Sequence, residues 1–213
     1  SRLNEIATRA GLETGAASNV LSSLMELGIV RREIPATEKN SRKTIYILND
    51  AMYRFWFTFV WNYLTNINRG IGELVYKEFV ENKINEYMGH VFEDICLQYL
   101  YTDKGLASLP FLPENIGRWW GNNPQKKREE EIDIFGFAGV KQLFCECKWT
   151  NKLVDINVME SLFDKAALLG EGEKHFIFFS KRIYQEIYSG RIRKAQCQAD
   201  NIQGYVRINK SRL

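Results

Sequence analysis

The 213-residue sequence is poor in cysteine, histidine and long apolar runs, and each shortage excludes a class of protein. Its four cysteines show no Cys-x-x-Cys spacing, so we interpret them as reduced core thiols of a cytoplasmic protein and not as metal ligands. Of the two histidines, His90 is interpreted as a structural residue. No apolar run approaches the ~20 residues needed to span a bilayer, so we expect no membrane partner. Internal repeats and low-complexity runs are also absent.

The N-terminus and the charge of the chain give two further expectations. Nothing at the N-terminus resembles a signal peptide, and the chain opens at Ser1, almost directly in a helical pattern. We therefore expect a fragment of a longer protein. The net charge of +3 indicates no partner, but the residues from Lys181 onward carry eight lysines and arginines against two acids. Such a basic tail suits a polyanion, although it is more often a solvated face.

The stretch Glu131–Trp149, EIDIFGFAGVKQLFCECKW, organises the rest of the chain. Two runs rich in β-branched and aromatic residues flank a turn at residues 136–139, which predicts a β-hairpin. Side chains alternate between the faces of a strand, so Glu146 and Lys148 point the same way. Asp133 lies between two isoleucines on the partner strand and can project toward the same side. The sequence therefore predicts a site built from an acid, a turn, a second acid and a lysine.

These residue types suit metal-assisted attack on a phosphodiester. Mg²⁺ takes oxygen ligands and keeps several waters, so one or two carboxylates and the substrate phosphate are enough to hold it. We predict that Asp133 and Glu146 bind Mg²⁺ or Mn²⁺, with the backbone carbonyl of Cys147 as a third ligand. Lys148 is expected to orient the attacking water and offset charge on the phosphate oxygens. The alternative is a partly solvated hairpin that carries surface charges.

This segment resembles the D-x(n)-E-x-K core of the PD-(D/E)xK, or restriction-endonuclease-like, nuclease superfamily. Ile132 stands where a proline often precedes the aspartate in that superfamily. The resemblance implies a mixed sheet flanked by helices, a divalent metal, and another acid from the helix before the hairpin. In the helix predicted at residues 84–100 we choose Glu93 for that role, with Asp94 as the competitor.

The residues on either side of the hairpin predict further elements of the same domain. Residues 157–169, with the capping-box order Asn157-x-x-Glu160, predict a helix that leads into a strand at residues 176–180. Strand, helix and strand with this spacing predict a βαβ crossover. Before the hairpin, the basic triplet at residues 126–128 is expected at an exposed loop tip, where it contacts a nucleic-acid backbone or is merely solvated. A helix near residues 183–188 and a strand at residues 205–208 end the chain.

The first fifty residues predict a winged helix-turn-helix. Helices at residues 3–10 and 14–27 are joined by a tight turn, and two short strands then enclose a basic loop. In a DNA-binding version the second helix enters the major groove and the wing contacts phosphates. The residues expected to contact nucleic acid are Ser18, Asn19, Ser22, Arg31, Arg32, Lys39, Arg42 and Lys43. The second helix offers no arginine for guanine, so we expect no strong sequence-specific reading, and the alternative is a protein-contact or regulatory module.

Residues 53–64, YRFWFTFVWNYL, are the most aromatic stretch, and we interpret them as a helix buried between domains. With GRWW at residues 117–120 and ECKW at residues 146–149, this segment resembles the C-terminal half of prokaryotic, archaeal-type AAA+ ATPases, whose C-terminal domain has no known function. The resemblance implies an N-terminal ATPase domain as a partner. No GxxxxGK[ST] motif occurs here, so ATP binding is not assigned to this chain.

The resulting prediction is an α+β chain in three parts. A winged helix-turn-helix occupies residues 1–50, an aromatic-rich helical linker residues 51–83, and a nuclease-like mixed sheet flanked by helices residues 84–213. The expected function is metal-dependent cleavage of nucleic acid, with DNA as the expected partner and Asp133, Glu146, Lys148 and Glu93 as catalytic residues. The alternative is an inactive nuclease fold that binds nucleic acid or protein and regulates the ATPase.

Overall fold

A computed structural model describes residues 1–39, 43–150 and 155–180, together with the backbone of residues 196–200 and 202–209. The chain divides into two compact units, Ser1–Tyr87 and Met88–Leu213. Each unit has its own core and is described separately below. The division of the sequence at residues 50 and 83 stays a prediction.

The first unit begins with a helix-turn-helix and a two-stranded wing. Helices α1 and α2 are separated by Gly11, whose positive φ of 64° lets the chain turn sharply between them. Ala7 and Leu21 are buried between the helices, as the apolar spacing predicts. The wing strands are antiparallel. The bounds are α1 Leu3–Ala10, α2 Thr14–Glu26, β1 Val30–Glu33 and β2 Ile45–Leu48.

The aromatic stretch that follows is helical, but its predicted burial is wrong for most of its side chains. Of the aromatic residues at positions 53–63, all of which the structure describes, Phe59 alone is buried, and Trp61 is 57% exposed. The exposed rings of Tyr53, Phe57 and Trp61 are spaced four residues apart, and each contacts the next instead of a core. The helical pieces are α3 Ala51–Phe55, a π-helical turn Trp56–Val60, a 3₁₀ turn Trp61–Tyr63, α4 Leu64–Asn68, α5 Gly72–Val75 and a second π-helical turn Tyr76–Val80.

The second unit is built on a mixed six-stranded sheet. Helix α6, Ile84–Leu100, begins in the first unit and is followed by the short α7, Asp103–Ser108. The strands are β3 Asn115–Asn123, β4 Arg128–Ala138, β5 Lys141–Lys148, β6 Glu173–Ser180, β7 Gln196–Asp200 and β8 Ile202–Asn209. Their order is β3-β4-β5-β6-β8-β7, and only the β5–β6 pair of these described strands is parallel. The α+β class expected from the sequence is confirmed.

The hairpin and the crossover both lie where the sequence places them. Strands β4 and β5 pair in antiparallel register around Gly139, which has a φ of 55°. Helix α8, Ile156–Ala167, connects β5 to the parallel β6. Its N-cap differs from the prediction, because the carboxylate of Asp155, and not Asn157, accepts the hydrogen bond from the Val158 N–H.

Helices cover both faces of this sheet. On one face, Phe92, Cys96 and Leu100 of α6 pack in one cluster with Cys145, Ile177 and other strand residues. On the other face, the ring of Phe163 on α8 lies edge-on to Phe176, with centroids 4.6 Å apart. The strand residues at the centre of the sheet are therefore buried on both sides, as in other sheets with crossover helices.

Two further expectations concern the end of the chain and membranes. The strand predicted at residues 205–208 lies within β8. The helix predicted at residues 183–188 and the basic segment after it lie outside the described residues. Within the part of the chain that the structure describes, no helix combines the length and apolar character required to span a bilayer.

Candidate active site

Asp133 lies on β4, beside the end of β5, and is mostly buried. Its carboxylate accepts a hydrogen bond of 2.7 Å from the backbone N–H of Cys147. The pKa of Asp133 is raised from 3.8 to about 7, mainly by burial and then by the negative charges of Glu146 and Glu93. The Cys147 N–H and the Lys148 charge act in the opposite direction and are outweighed. The charge of Asp133 therefore interacts with the charges of Glu146, Glu93 and Lys148, the other three residues predicted to be catalytic.

Glu146 is 5% exposed and is held by two ammonium groups. Lys148 Nζ lies 2.5 Å from Glu146 Oε1, and Lys165 Nζ, on α8, lies 3.3 Å from Glu146 Oε2. Burial lowers the pKa of Lys148, but the charge and hydrogen bond of Glu146 outweigh burial, so this pKa is raised above 10.5. Alternation along β5 therefore places Glu146 and Lys148 together, as predicted, and the tertiary fold adds Lys165.

Glu93 approaches the site from α6. Arg118 Nη2 lies 2.5 Å from Glu93 Oε2, and His90 Nδ1 lies 3.4 Å from Glu93 Oε1. Burial raises the pKa of Glu93, but the His90 hydrogen bond and the Arg118 charge outweigh it, so the pKa is lowered. The hydrogen bond to Glu93 raises the pKa of His90. His90 and Arg118 therefore keep the Glu93 carboxylate ionised.

Three carboxylates meet at this point. Oxygens of Glu93, Glu131 and Asp133 all lie within 4.8 Å of one another, whereas Asp94 is not part of this group. Arg118 Nε also lies 3.3 Å from Glu131 Oε1, so one guanidinium contacts two of the three acids. The sequence reasoning assigned no role to Glu131 and Arg118. Glu131 precedes Asp133 by two residues on a strand, and this same-face spacing was the available signal.

The donor set fits a hard divalent cation. Two oxygens bound to one Mg²⁺ at about 2.1 Å lie at most about 4.2 Å apart, and Ca²⁺, at up to about 2.6 Å, allows about 5 Å. The three carboxylates at 4.8 Å or less fall in this range after small side-chain rotations. Glu93, Glu131 and Asp133 could therefore hold a cation, while both oxygens of Glu146 already contact lysines.

The cysteines near the site belong to the core. Cys96, Cys145 and Cys147 are free and buried, and burial raises the thiol pKa of Cys145 and Cys147 well above its ordinary value. Their thiols are therefore neutral and offer no thiolate ligand. Cys147 contributes its backbone N–H to Asp133, and the role predicted for its carbonyl stays a prediction. The side chain of Cys197 lies outside the described residues.

Comparison with known proteins finds one family whose matched region contains most residues of this site. The DUF234 family, described as archaeal and bacterial proteins of unknown function, matches residues 56–160. The match contains Glu93, Arg118, Glu131, Asp133, Glu146 and Lys148, but not Lys165. No solved structure matches the chain significantly.

A longer archaeal protein is similar to most of the chain. The uncharacterized protein MJECL04 of Methanocaldococcus jannaschii is 31% identical over 188 residues, covering 85% of this chain and 41% of that protein. The chain therefore spans less than half the length of this relative. Neither this relative nor the DUF234 family carries a described activity.

The predicted nucleic-acid contacts lie N-terminal to the DUF234 match, in the helix-turn-helix and wing. Asn19, Ser22, Arg32 and Lys39 are exposed, and Ser18 is partly so. Two of the predicted cations have acidic partners within the unit: Arg31 lies 2.8 Å from Glu33 and Lys43 lies 2.9 Å from Glu38. Arg42 lies outside the described residues. Their contact with nucleic acid stays a prediction.

Proposed function

We propose that the second unit is a metal-dependent phosphodiesterase that cleaves nucleic acid, and that its site lies at the β4–β5 hairpin. One observation carries this proposal. The mostly buried Asp133 lies among other carboxylates and beside a Glu146–Lys148 pair, with oxygens of Glu93 and Glu131 within 4.8 Å. Carboxylates concentrated in a partly buried place repel one another unless a cation or protons offset them.

Each residue has a distinct task in this proposal. A bound Mg²⁺ or Mn²⁺ would supply Lewis-acid chemistry and lower the pKa of water. Asp133, Glu93 and Glu131 would hold it, with Arg118 and His90 fixing the orientation of Glu93. Lys148, whose side chain is 39% exposed, would orient the attacking water and contact phosphate oxygens. Glu146, held by Lys165, would anchor Lys148 or join the cation ligands.

The balance of charge supports a phosphodiester as the substrate. Four acids, Glu93, Glu131, Asp133 and Glu146, face three bases, Arg118, Lys148 and Lys165. One divalent cation would leave the group with a net charge of about +1, which matches one phosphodiester anion. A phosphate monoester, with nearly two charges, matches less well.

The proposal also assigns roles to the first unit and to the region of the archaeal relative that this chain does not cover. The helix-turn-helix and wing would bind DNA, mainly through phosphates, with Arg32 and Lys39 as exposed cations. Because the chain covers 41% of its archaeal relative, we propose that it works as the C-terminal region of a cytoplasmic AAA+ ATPase. That ATPase region would then be its partner.

A second function is favoured by one observation. Both oxygens of Glu146 contact ammonium groups, so the position predicted to bind metal is already neutralised within the protein. A nuclease fold in this state would bind nucleic acid or protein without cleaving it, and would regulate the ATPase region. Fold alone does not decide between the two functions.

Cleavage of plasmid and branched DNA with Mg²⁺ or Mn²⁺ tests the proposal directly. The variants are Asp133→Asn and Lys148→Met, and Glu160→Gln, an exposed carboxylate on α8, is the matched control. We expect metal-dependent cutting by the wild type and the control, and none by the two site variants. DNA binding without cutting, unchanged in both site variants, would favour the regulatory function. Cutting that survives Asp133→Asn would refute this site.

A further inference from the structure

A basic turn joins β3 to β4 and has no role in the site described above. Lys126, Lys127 and Arg128 are all exposed in this turn. Lys127 has a φ of 50° and is the only non-glycine residue with positive φ among the residues that the structure describes. Lysine adopts this left-handed conformation less readily than glycine or asparagine. Residues in uncommon backbone conformations cluster at functional sites, so the Lys127 side chain is a candidate for a functional contact.

The turn is built on buried polar groups. The side-chain oxygen of Asn123, which is 5% exposed, accepts hydrogen bonds of 3.0 Å from the N–H groups of Gln125 and Lys126. Glu130, 7% exposed, lies 2.9 Å from Arg128 Nε and 3.9 Å from Lys126 Nζ. The Asn123 contacts hold the backbone just before Lys127, and Glu130 holds the side chain of Arg128 just after it.

The same contacts leave one cation of the turn facing solvent. Arg128 is paired with Glu130, and Lys126 lies 3.3 Å from Asp164 on α8. Lys127 forms no ion pair with any residue that the structure describes. The exposed Glu129 is the acid nearest in sequence, and it has interactions of its own. The turn thus presents the Lys127 ammonium on a fixed backbone.

The position of the turn relates it to the candidate site. Lys127 lies in the turn immediately before β4 and precedes Glu131 by four residues, a stretch of chain that spans at most about 14 Å. On the other side, Asp164 holds Lys126 while the adjacent Lys165 holds Glu146. The turn and the site therefore border the same helix.

We propose that this turn binds the backbone of a nucleic-acid strand lying across the site, with Lys127 contacting a phosphate. The inference rests on the proposed function. The short separation between Lys127 and Glu131 places the phosphate within a few nucleotides of the phosphodiester at the carboxylates. The contact is independent of sequence because a phosphate carries no base identity.

Direct binding of a fluorescent DNA duplex in EDTA tests the contact without any cleavage. Lys127→Asn removes the charge but tolerates the positive φ, and Lys127→Arg keeps the charge. Lys141→Asn, which removes an exposed lysine at the start of β5, is the matched control. We expect Lys127→Asn to bind about five- to tenfold more weakly at 0.1 M salt, and its slope of log K against log salt to fall in magnitude by about 0.9.

Lys127→Arg and Lys141→Asn should bind as the wild type does, with an unchanged salt slope. Because the slope counts phosphate contacts, the loss of one is measurable even if the wing also binds DNA. An affinity and slope for Lys127→Asn equal to those of the wild type would overturn the inference. An equal loss of affinity in Lys127→Arg would also overturn the inference, because that variant keeps the positive charge.

Failure of the proposed function gives a different pattern. If the protein never cuts DNA but Lys127→Asn still weakens binding, the turn is a nucleic-acid contact and only the phosphodiesterase is refuted. If the wild type cuts DNA and Lys127→Asn changes neither Kd nor KM, the turn inference alone fails.

Discussion

Replacing Asp133 with asparagine should change how the stability of the protein depends on pH. The pKa of Asp133 is raised to about 7 in the folded chain, mainly by burial and then by the charges of Glu146 and Glu93. In the unfolded chain this pKa is near 3.9. Between these values the folded state binds more protons than the unfolded state, so the free energy of unfolding falls as pH rises. The Asp133→Asn variant lacks this fall.

The size of the effect follows from the shift. A rise in pKa from 3.8 to about 7 corresponds to at most about 4 kcal/mol. Near pH 4 and below, the variant and the wild type should have similar stability, because both side chains are then neutral. At about pH 8 the variant should be more stable by up to that amount. Its amide oxygen can still accept the hydrogen bond from the Cys147 N–H.

Urea unfolding at about pH 5 and about pH 8 measures this difference. Glu160→Gln, which changes an exposed carboxylate on α8, should leave the pH dependence as in the wild type. Identical pH dependence in Asp133→Asn and the wild type would refute the electrostatic reasoning for the site. A second measurement adds Ca²⁺ or Mn²⁺ at about pH 8, where a cation that binds the ionised Asp133 should stabilise the wild type and not the variant.

Four other predictions concern stability and reactivity. Lys165→Met should lower the free energy of unfolding by about 1.5 to 3 kcal/mol, measured by urea unfolding, because buried Glu146 loses one of its two cations. Gly105→Ala should cost about 2 kcal/mol or more, since the added Cβ would lie 1.9 Å from a backbone carbonyl oxygen. Gly89→Ala, with open space around its Cβ within α6, should instead stabilise the protein by up to about 1 kcal/mol. The fully buried Cys145 should react with a thiol reagent only as the protein unfolds, and rapid labelling of the folded protein would contradict its burial.

Local patterns in the sequence were enough to place the elements that carry the site. Alternation over Leu143–Trp149 predicted the strand on which Glu146 and Lys148 lie together, because successive side chains on a strand point to opposite faces. The turn at Gly139 predicted the hairpin, and the helix that follows predicted the parallel crossover. The hairpin depends on contacts between residues close in sequence, and the crossover depends on two strands separated by a single helix.

Local patterns failed where distant elements had to be known. The aromatic stretch at residues 53–64 was predicted to be buried because most of its residues are apolar or aromatic. In the structure its exposed rings contact one another, and Trp61 is 57% exposed. Hydrophobicity shows which side chains gain from burial, but not whether a neighbouring element covers them.

The residues of the site also divide into those that local sequence patterns predicted and those that only the tertiary structure brought together. The sequence by itself supplied Asp133, Glu146 and Lys148, and it left Glu93 and Asp94 as alternatives on one helix. Only the tertiary structure decided that Glu93 and Glu131 join Asp133. It also decided that Arg118 and Lys165 reach the acids from β3 and α8. Side-chain periodicity assigns residues to a face, whereas the packing and rotation of whole elements decide which faces meet.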